Sequence, residues 1–355
     1  MAHKYLKEVI KRLKRNCLRA LIAPMVQWSP LRQYSPGYTI VVACHWRFPE
    51  MFEASLQFLG GQDLTNCHEL ICAFDSECTP ALECASERIK ARCPAIRIRF
   101  LFQSHWQSVM LRMINWGWVD CWLSYAKCLA TLTTKYAMLH DMDAMLIDKN
   151  FIERRFALVV SKNLEFLGIR WYAYNGLDQS DELLYVVEML LDVKWLREKC
   201  HPIDLFNKIV VIGKRRVDLD TLIYPQTLSS KKMVLPIDRD QWVHPSQVIS
   251  QFTYLVGKKG YIPPAENNLF FIPYFMSLVE GVEHIVGQTK TLTNSTDPLS
   301  IKFLGQNMNI SKLTQTHFKW IEEQINTLEM ISFSRIRPEV VDYLSSIKRN
   351  ILHGQ

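Results

Sequence analysis

This sequence lacks two features that would place it quickly: cysteines at metal-binding spacing and long apolar runs. None of its ten cysteines forms a CxxC pair, and most lie inside apolar segments, so reduced and mostly buried thiols are expected. No apolar run reaches the roughly 18 residues that cross a bilayer. Internal repeats and low-complexity segments are also missing. These absences argue against a disulfide framework, a zinc module and a membrane-spanning segment.

The positive charge is confined to the start of the chain. Of the 42 Lys and Arg residues, eight lie within residues 1–36 beside a single acid, Glu8, so this segment carries the whole net charge of +7. The rest of the chain is neutral and offers no basic or aromatic platform, so nucleic acid is not an expected partner. Charged residues interrupt the apolar residues at the N-terminus, unlike a signal peptide, and a cytoplasmic location is expected.

Residues 4–22 are predicted to form an amphipathic helix with cations on one face. Its apolar residues recur every three or four positions and are Tyr5, Leu6, Val9, Ile10, Leu13 and Cys17. Two interpretations stay open. The helix lies on an anionic membrane surface, at the cytoplasmic face, or it packs on its own domain with a solvated basic face.

Beyond a proline- and serine-containing linker, apolar strand-like segments alternate with helical ones. The predicted strands cover residues 38–46, 67–77, 95–103 and 136–143, and the longest predicted helical stretch covers residues 105–133. This alternation predicts an α/β fold with a mainly parallel sheet flanked by helices. The expected organisation is a basic helix and linker at 1–36, a catalytic domain at 37–245 and a helical C-terminal extension at 246–355.

Ligands bind at the carboxyl ends of the strands in such sheets. The fourth predicted strand ends in Asp141 and Asp143, which would face the same way if the strand continued through both. Two half-buried like charges are costly unless a cation lies between them, and hard oxygen ligands suit Mg²⁺ or Mn²⁺. The alternative is a pair of solvated turn aspartates or a helix N-cap.

Four segments in order resemble nucleotide-sugar glycosyltransferases of the Rossmann-like GT-A fold, particularly the large family-two group. They are YTIVVACHWR as the first strand, ELICAFDSE as the strand that ends in a nucleotide-binding aspartate, INWGW as the Asn-x-Gly at the start of a helix, and KYAMLHDMDAML as the strand with the Asp-x-Asp motif. KNFIERRFALV and LEFLGIRWYAY resemble the next helix and strand. The resemblance covers about residues 37–175.

The resemblance implies a metal-dependent transfer of a sugar from a nucleoside-diphosphate sugar to a glycan, lipid or protein acceptor, in polysaccharide or glycoconjugate synthesis. The implied nucleotide-sugar-binding residues are Cys44, His45, Arg47, Asp75, Asn115 and Asp141. The implied ligands of Mn²⁺ or Mg²⁺ are Asp141, Asp143 and a downstream histidine, for which His244 is the candidate. The metal would neutralise charge on the departing diphosphate.

The chain departs from the family pattern at the general base. The family usually supplies this carboxylate from a Glu-Asp dipeptide, which this sequence does not contain. The nearest candidates are Asp181 and Glu182, followed by Glu188, Asp192 and Asp204, and each of these could equally be a helix cap or a solvated residue. Inversion or retention of configuration therefore stays open, as does activity itself.

Two alternatives to a glycosyltransferase remain. A non-catalytic binding protein on the GT-A scaffold is compatible with the missing Glu-Asp dipeptide. A sugar-phosphate nucleotidyltransferase shares the α/β core but needs a glycine-rich loop after the first strand. The segment CHWRFPE contains no glycine, which counts against that alternative.

Overall fold

The computed structural model describes residues 2–171 (side chains from Val9), 183–212, 215–236 and 242–244, the backbone of 300–303 and 306–309, and eight isolated positions between 323 and 349. Contacts divide the chain into two compact units. The first unit comprises residues 1–49, 59–142 and 148–242, and the second comprises residues 50–58, 143–147 and 243–355.

Helices and strands alternate along the chain as predicted. The helices are α1 (Ala2–Ile22), α2 (Pro49–Leu59), α3 (Pro80–Arg92), α4 (His105–Ile114), α5 (Gly117–Thr131), α6 (Phe151–Ser161), α7 (Val193–Lys199) and α8 (Ile223–Gln226). The strands are β1 (Ser35–Cys44), β2 (Cys67–Phe74), β3 (Ile98–Leu101), β4 (Thr134–Asp141), β5 (Met145–Leu146), β6 (Phe166–Ile169), β7 (Leu190–Asp192), β8 (Lys208–Ile212), β9 (Arg215–Leu219), β10 (Lys232–Leu235), β11 (Trp242–Val243), β12 (Ser300–Phe303) and β13 (Gln306–Asn309).

The first unit is built on a seven-stranded sheet in the order β10-β6-β7-β4-β1-β2-β3. All neighbouring strands are parallel except for β7, which runs antiparallel to both β4 and β6. Helices α5, α6 and α7 pack against its strands. Within one buried cluster, α5 contributes Trp122 and Leu129, while β1 and β2 contribute Val41 and Ile71. The predicted α/β fold with a mainly parallel sheet is confirmed.

Two predicted boundaries differ from the structure. The helical stretch expected over 105–133 is two helices, because Asn115 adopts the left-handed region at φ 46° and ends α4. Asparagine tolerates this conformation better than most residues. The fourth strand ends at Asp141, so the expectation that it continues through Asp143 is wrong, and Asp143 lies in the turn that follows.

Helix α1 packs on the first unit through its cations. Arg15 donates to both carboxylate oxygens of Asp218, at 3.1 and 3.4 Å, and Arg19 donates to the carbonyl oxygens of Phe206 and Asn207 at 2.7 and 3.2 Å. Arg15 is only 9% exposed. The packed-helix alternative is met in part: Ile22 is buried in the core, whereas Lys11, Arg12 and Lys14 are exposed. The faces differ from the expected ones, because Arg15 and Arg19 contact the first unit while Ile10 and Leu13 are exposed.

All ten cysteines are free, as predicted, but Cys17, Cys78 and Cys84 are exposed, so the thiols are not mostly buried. Within the described part of the chain, no helix combines the length and the apolar character needed to span a membrane. The predicted helical extension at 246–355 lies almost entirely outside the described residues.

Candidate active site

The carboxyl ends of β1, β2 and β4 meet at one edge of the seven-stranded sheet. On one side, β1 pairs Cys44 with Phe74 of β2. On the other side, it pairs Ala43 with Asp141 of β4. Because these strands are parallel, Asp75, which follows Phe74, and Asp141 both reach this edge. The prediction that the loops after these strands gather at one edge is confirmed.

The loop after β1 folds back onto Asp75. The backbone N–H of Trp46 donates to Asp75 Oδ1 at 2.8 Å, and His45 Nε2 lies 3.9 Å from Asp75 Oδ2. The backbone N–H of Arg47 donates to His45 Nδ1 at 3.1 Å. Since Nδ1 accepts this bond, a neutral His45 carries its proton on Nε2, toward Asp75. These contacts hold His45 and Arg47 beside Asp75, and all three are predicted nucleotide-binding residues.

Burial and charge act in opposite directions on this pair. Burial raises the pKa of Asp75, while the charge of His45 and the Trp46 N–H lower it. Burial also lowers the pKa of His45, while Asp75 raises it. Desolvation is the largest influence on the pKa of both side chains, and it favours the neutral form of each. The two groups are therefore less fully ionised than the members of an exposed ion pair would be. Both side chains can therefore exchange hydrogen bonds with a polar ligand.

The outer part of the loop combines an aromatic ring with a cation. The Arg47 guanidinium lies over the Trp46 ring, 5.0 Å from its centroid, and Trp46 is 44% exposed. Arginine binds phosphates, and exposed aromatic rings stack on bases. Cys44 differs, because the thiol of Cys72 donates to its buried sulfur at 3.2 Å. The Cys44 side chain therefore belongs to the core, and only its backbone adjoins this loop.

Asp141 is held from two directions. The Tyr125 hydroxyl donates to Asp141 Oδ1 at 2.9 Å. Burial and then the charge of Asp141 raise the pKa of Tyr125, which keeps the phenol a neutral donor. The backbone N–H of Asp141 donates to Glu188 Oε1 at 3.4 Å. These contacts fix both the side chain and the backbone of the first motif aspartate.

A buried histidine–carboxylate pair lies next to Asp141 in the chain. His140 Nδ1 and Glu188 Oε1 are 2.7 Å apart, and both side chains are 0% exposed. Glu188 adopts a left-handed φ of 51°, and its carbonyl accepts a hydrogen bond from the Arg155 guanidinium. A non-glycine residue held there costs roughly 1–3 kcal/mol and persists only where its surroundings fix it. The His140 side chain contacts Glu188 and the Asp141 side chain contacts Tyr125, because neighbouring strand residues face opposite ways.

Asp143 and His244 form a second histidine–carboxylate pair, in the second unit. His244 Nε2 lies 3.0 Å from Asp143 Oδ1, and each side chain is 10% exposed. Strands β5 and β11 form a two-stranded sheet. Asp143 precedes β5 by two residues and His244 directly follows β11, so this pairing brings the two residues together across 101 positions.

Asp141, Asp143 and His244 form a group of possible metal ligands within the described part of the chain. Asp141 and Asp143 are separated by one residue, so chain connectivity keeps their carboxylates close. Within the second unit, a carboxylate oxygen of Asp143 and a ring nitrogen of His244 lie 3.0 Å apart. Two carboxylates at this spacing repel each other unless a cation or proton compensates them. The donor set therefore fits a hard divalent cation such as Mn²⁺ or Mg²⁺.

Sequence reasoning missed two residues of this region, Asp120 and Tyr125, and it named Glu188 only as a further candidate for the general base, a role that its complete burial against His140 does not support. Burial and then the charge of Asp75 raise the pKa of Asp120 to about 7. The charge of Asp141 raises the pKa of both Cys121 and Tyr125, which lie four residues apart on one face of α5. In sequence, an acid in the first turn of a helix is ordinary, since it complements the helix dipole. No local pattern therefore distinguished Asp120 from a solvated residue.

Three remaining candidates are not brought into this arrangement by any described contact. Gly117 begins α5, as the resemblance implied, but Asn115 ends α4, where its backbone N–H donates to the Leu111 carbonyl. The role of Asn115 in nucleotide binding stays a prediction. Asp181 and Glu182 lie outside the described residues, and their catalytic role stays a prediction too.

No protein-family model and no curated protein matches this chain. Solved structures with a similar fold are glycosyltransferases, the class that the sequence resembles. The mannosyltransferase PcManGT from Pyrobaculum calidifontis, in complex with GDP-Man and Mn²⁺, is 12% identical with a TM-score of 0.40, over 92% of this chain and 89% of that one. S. aureus TarS is 12% identical with a TM-score of 0.38, over 89% of this chain and 54% of that one.

The glycosyltransferase GlyE of Streptococcus pneumoniae is 11% identical with a TM-score of 0.32, over 46% of this chain and 36% of that one. The match thus covers about a third of GlyE and about half of TarS. Likeness this weak carries no conclusion about the chemistry of this chain, for which the residues of the site are the basis.

Proposed function

We propose that this chain is a metal-dependent glycosyltransferase. It would move a sugar from a nucleoside-diphosphate sugar to a glycan, lipid or protein acceptor, in polysaccharide or glycoconjugate synthesis. The observation that carries the proposal is the ligand group of Asp141, Asp143 and His244, whose first member ends β4 at the same sheet edge as Asp75.

The Asp75 side of the edge suits the nucleoside. A carboxylate accepts hydrogen bonds from ribose hydroxyls or from base N–H groups. Asp75 is already oriented by the Trp46 N–H at 2.8 Å, so it would bind without rearranging. Arg47 and the exposed ring of Trp46 add a cation for phosphate and a surface for stacking.

The Asp141 side suits the diphosphate. Its carboxylates repel phosphate by themselves, so a nucleoside diphosphate could bind there only together with a cation. Asp143 and His244 place a carboxylate oxygen and a ring nitrogen 3.0 Å apart, close enough to share one ion instead of a proton. When bound, Mn²⁺ or Mg²⁺ would supply charge neutralisation for the diphosphate as it leaves the sugar.

Residues behind the motif would keep it in position. Tyr125 holds the Asp141 carboxylate, and Glu188 holds both His140 and the Asp141 backbone. A metal site binds well only when its ligands are fixed by such outer contacts. Asp181 and Glu182 remain the candidates for the base that takes the acceptor proton.

The nucleotidyltransferase alternative gains no support from the loop after β1. A triphosphate-binding loop needs glycines so that backbone N–H groups can approach the phosphates. Here, the Trp46 N–H is bonded to Asp75 and the Arg47 N–H to His45. Those donors are already engaged within the protein.

A paired measurement tests the proposal. The melting temperature of the full chain is recorded with UDP- and GDP-sugars, each with and without Mn²⁺, and Mn²⁺ binding is titrated calorimetrically. We expect one nucleotide class to stabilise the protein only when Mn²⁺ is present, because the carboxylates otherwise repel it. Slow hydrolysis of that sugar nucleotide would distinguish an enzyme from a non-catalytic binding protein.

The control for the ligand-induced thermal shift is a variant that removes an exposed carboxylate outside the candidate site. Glu87 is 68% exposed on α3 and pairs with Lys90, so Glu87→Gln should leave the ligand-induced shift unchanged. Failure of every sugar nucleotide to stabilise the wild-type protein with Mn²⁺ would refute the proposed function.

A further inference from the structure

Helix α1 exposes the side chains that its periodicity would place against a core. Ile10, Leu13 and Leu21 are 42%, 58% and 53% exposed, and Cys17 is exposed as well. Three- and four-residue spacing puts these four residues on one side of the helix, and we call them the α1 stripe. Scattered exposed apolar residues are ordinary, but a continuous row on one helix face is typical of a contact surface.

The opposite face explains why the stripe points outward. Lys11 and Arg15 pair with Asp218, at 2.9 and 3.1 Å, and Arg19 pairs with Asp204 at 3.5 Å. Turning the helix to bury the stripe would expose these contacts and strip Arg15 of its partner. Ile22 is also buried in the core, and Leu18 packs against it, on this opposite face. Ion pairs and apolar burial on the opposite face therefore leave the stripe exposed.

Unpaired positive charge surrounds the stripe. Arg12 and Lys14 are exposed and form no ion pair among the described residues. Residues 1–36 contain eight cations and one acid, and Asp204 and Asp218 engage three of these cations. Apolar side chains flanked by cations match the chemistry of an anionic lipid surface.

A second group of exposed apolar residues lies close to the same helix. The Arg15 guanidinium lies 4.7 Å from the centroid of the Trp116 ring, in the turn between α4 and α5. Met113 and Trp118, near that turn, are 75% and 40% exposed. Tryptophan is enriched where proteins meet the membrane–water interface. They form a separate exposed group, because the contact with α1 runs through Arg15 on the face opposite to the stripe.

We propose that the α1 stripe docks this protein on an anionic membrane surface, with the helix lying flat and the exposed cations Arg12 and Lys14 available to the lipid headgroups. A second copy of the chain fits less well. The stripe is roughly 17 Å long and about 10 Å wide from helix geometry, or about 170 Å². A stable protein interface buries about 800 Å² on each partner. The inference does not depend on the proposed enzymatic activity.

Co-sedimentation of the full chain with vesicles tests this inference. We expect binding to phosphatidylcholine vesicles containing about 30% phosphatidylserine to be at least about tenfold tighter than to phosphatidylcholine alone, and to weaken as salt screens the charges. Leu13→Asn combined with Leu21→Asn should weaken it at least about tenfold. Arg12→Gln combined with Lys14→Gln should weaken it severalfold and reduce its salt dependence.

The matched control is Leu228→Asn, because Leu228 is a leucine of similar exposure, 51%, that lies outside the α1 stripe. It should bind like the wild type, and all variants should keep the wild-type melting temperature. Equal vesicle binding by the double leucine variant, or no binding by the wild type, would overturn the inference. Concentration-dependent self-association that the double leucine variant abolishes would instead assign the stripe to a second copy.

Discussion

Two histidine–carboxylate pairs lie on either side of Asp141 in the motif, and their geometry is nearly the same. His140 and Glu188 approach to 2.7 Å, and His244 and Asp143 approach to 3.0 Å. Both side chains of the first pair are 0% exposed, whereas both side chains of the second pair are 10% exposed.

The comparison shows that a short contact between an imidazole and a carboxylate does not by itself define a metal site. The His140–Glu188 pair is sealed from solvent and fixes a strained backbone. The Asp143–His244 pair can be reached by an ion and has a second carboxylate, Asp141, as a neighbour in the chain. We therefore assign a structural role to the first pair and a ligand role to the second.

The largest effect is expected from a substitution that breaks the Asp143–His244 pair. Asp143→Asn should lower sugar transfer by about 10³-fold and abolish the Mn²⁺-dependent thermal shift, because it removes charge from the metal site. The melting temperature without ligand should stay the same or rise, since repulsion with Asp141 is relieved. If the variant melted several degrees lower yet kept the wild-type Mn²⁺ shift, Asp143 would be structural and the distinction between the pairs would fail.

Breaking the buried His140–Glu188 pair should lower the stability of the protein and leave its Mn²⁺ binding intact. Glu188→Ala should cost about 3–5 kcal/mol of unfolding free energy, because it leaves His140 buried without its partner. Glu188→Gln keeps an acceptor and should cost less. Denaturant unfolding measures both. A destabilised Glu188→Ala that still binds Mn²⁺ at low temperature would support the structural role, whereas loss of Mn²⁺ binding with unchanged stability would contradict it.

The histidine of the ligand pair sharpens the comparison further. His244→Ala should weaken Mn²⁺ binding by about 10–100-fold, because a metal ligand is lost. Titration of Mn²⁺ by calorimetry measures this. His105→Ala is the control, since His105 is 78% exposed on α4. Wild-type Mn²⁺ affinity in His244→Ala would remove the histidine from the ligand group.

The smallest expected effect concerns Asp120, beside the Asp75 side of the edge. Burial, and then the charge of Asp75, raise the pKa of Asp120 in the folded protein from its ordinary value of 3.8 to about 7. Its contribution to stability is therefore present below about pH 4 and is lost as pH rises through 7. Asp120→Asn should therefore stabilise the protein by about 1–2 kcal/mol at pH 8 and leave it unchanged near pH 4. Thermal unfolding across this range tests it, and a pH-independent difference would contradict it.

Local patterns in the sequence determined much of the fold and part of the site. Apolar strand segments that stop at a charged residue predicted β1, β2 and β4, and with them Asp75 and Asp141 at one edge. This works because buried parallel strands need apolar residues throughout, so the first charge marks the strand end. The apolar spacing also predicted that α1 is an amphipathic helix, since helical spacing is a local property of the sequence.

Other features depended on contacts between distant segments, and only the tertiary structure decided them. Asp143 lies in a turn, and its contact with His244 spans 101 positions of the chain. Glu188 contacts His140 across 48 positions, and the low exposure of Asp120 follows from packing around α5. Periodicity predicted two faces for α1. The sequence could not reveal that Lys11 and Arg15 pair with Asp218 and that Arg19 pairs with Asp204. Burial and ion pairing are set by which segments meet, and local spacing holds no information about that.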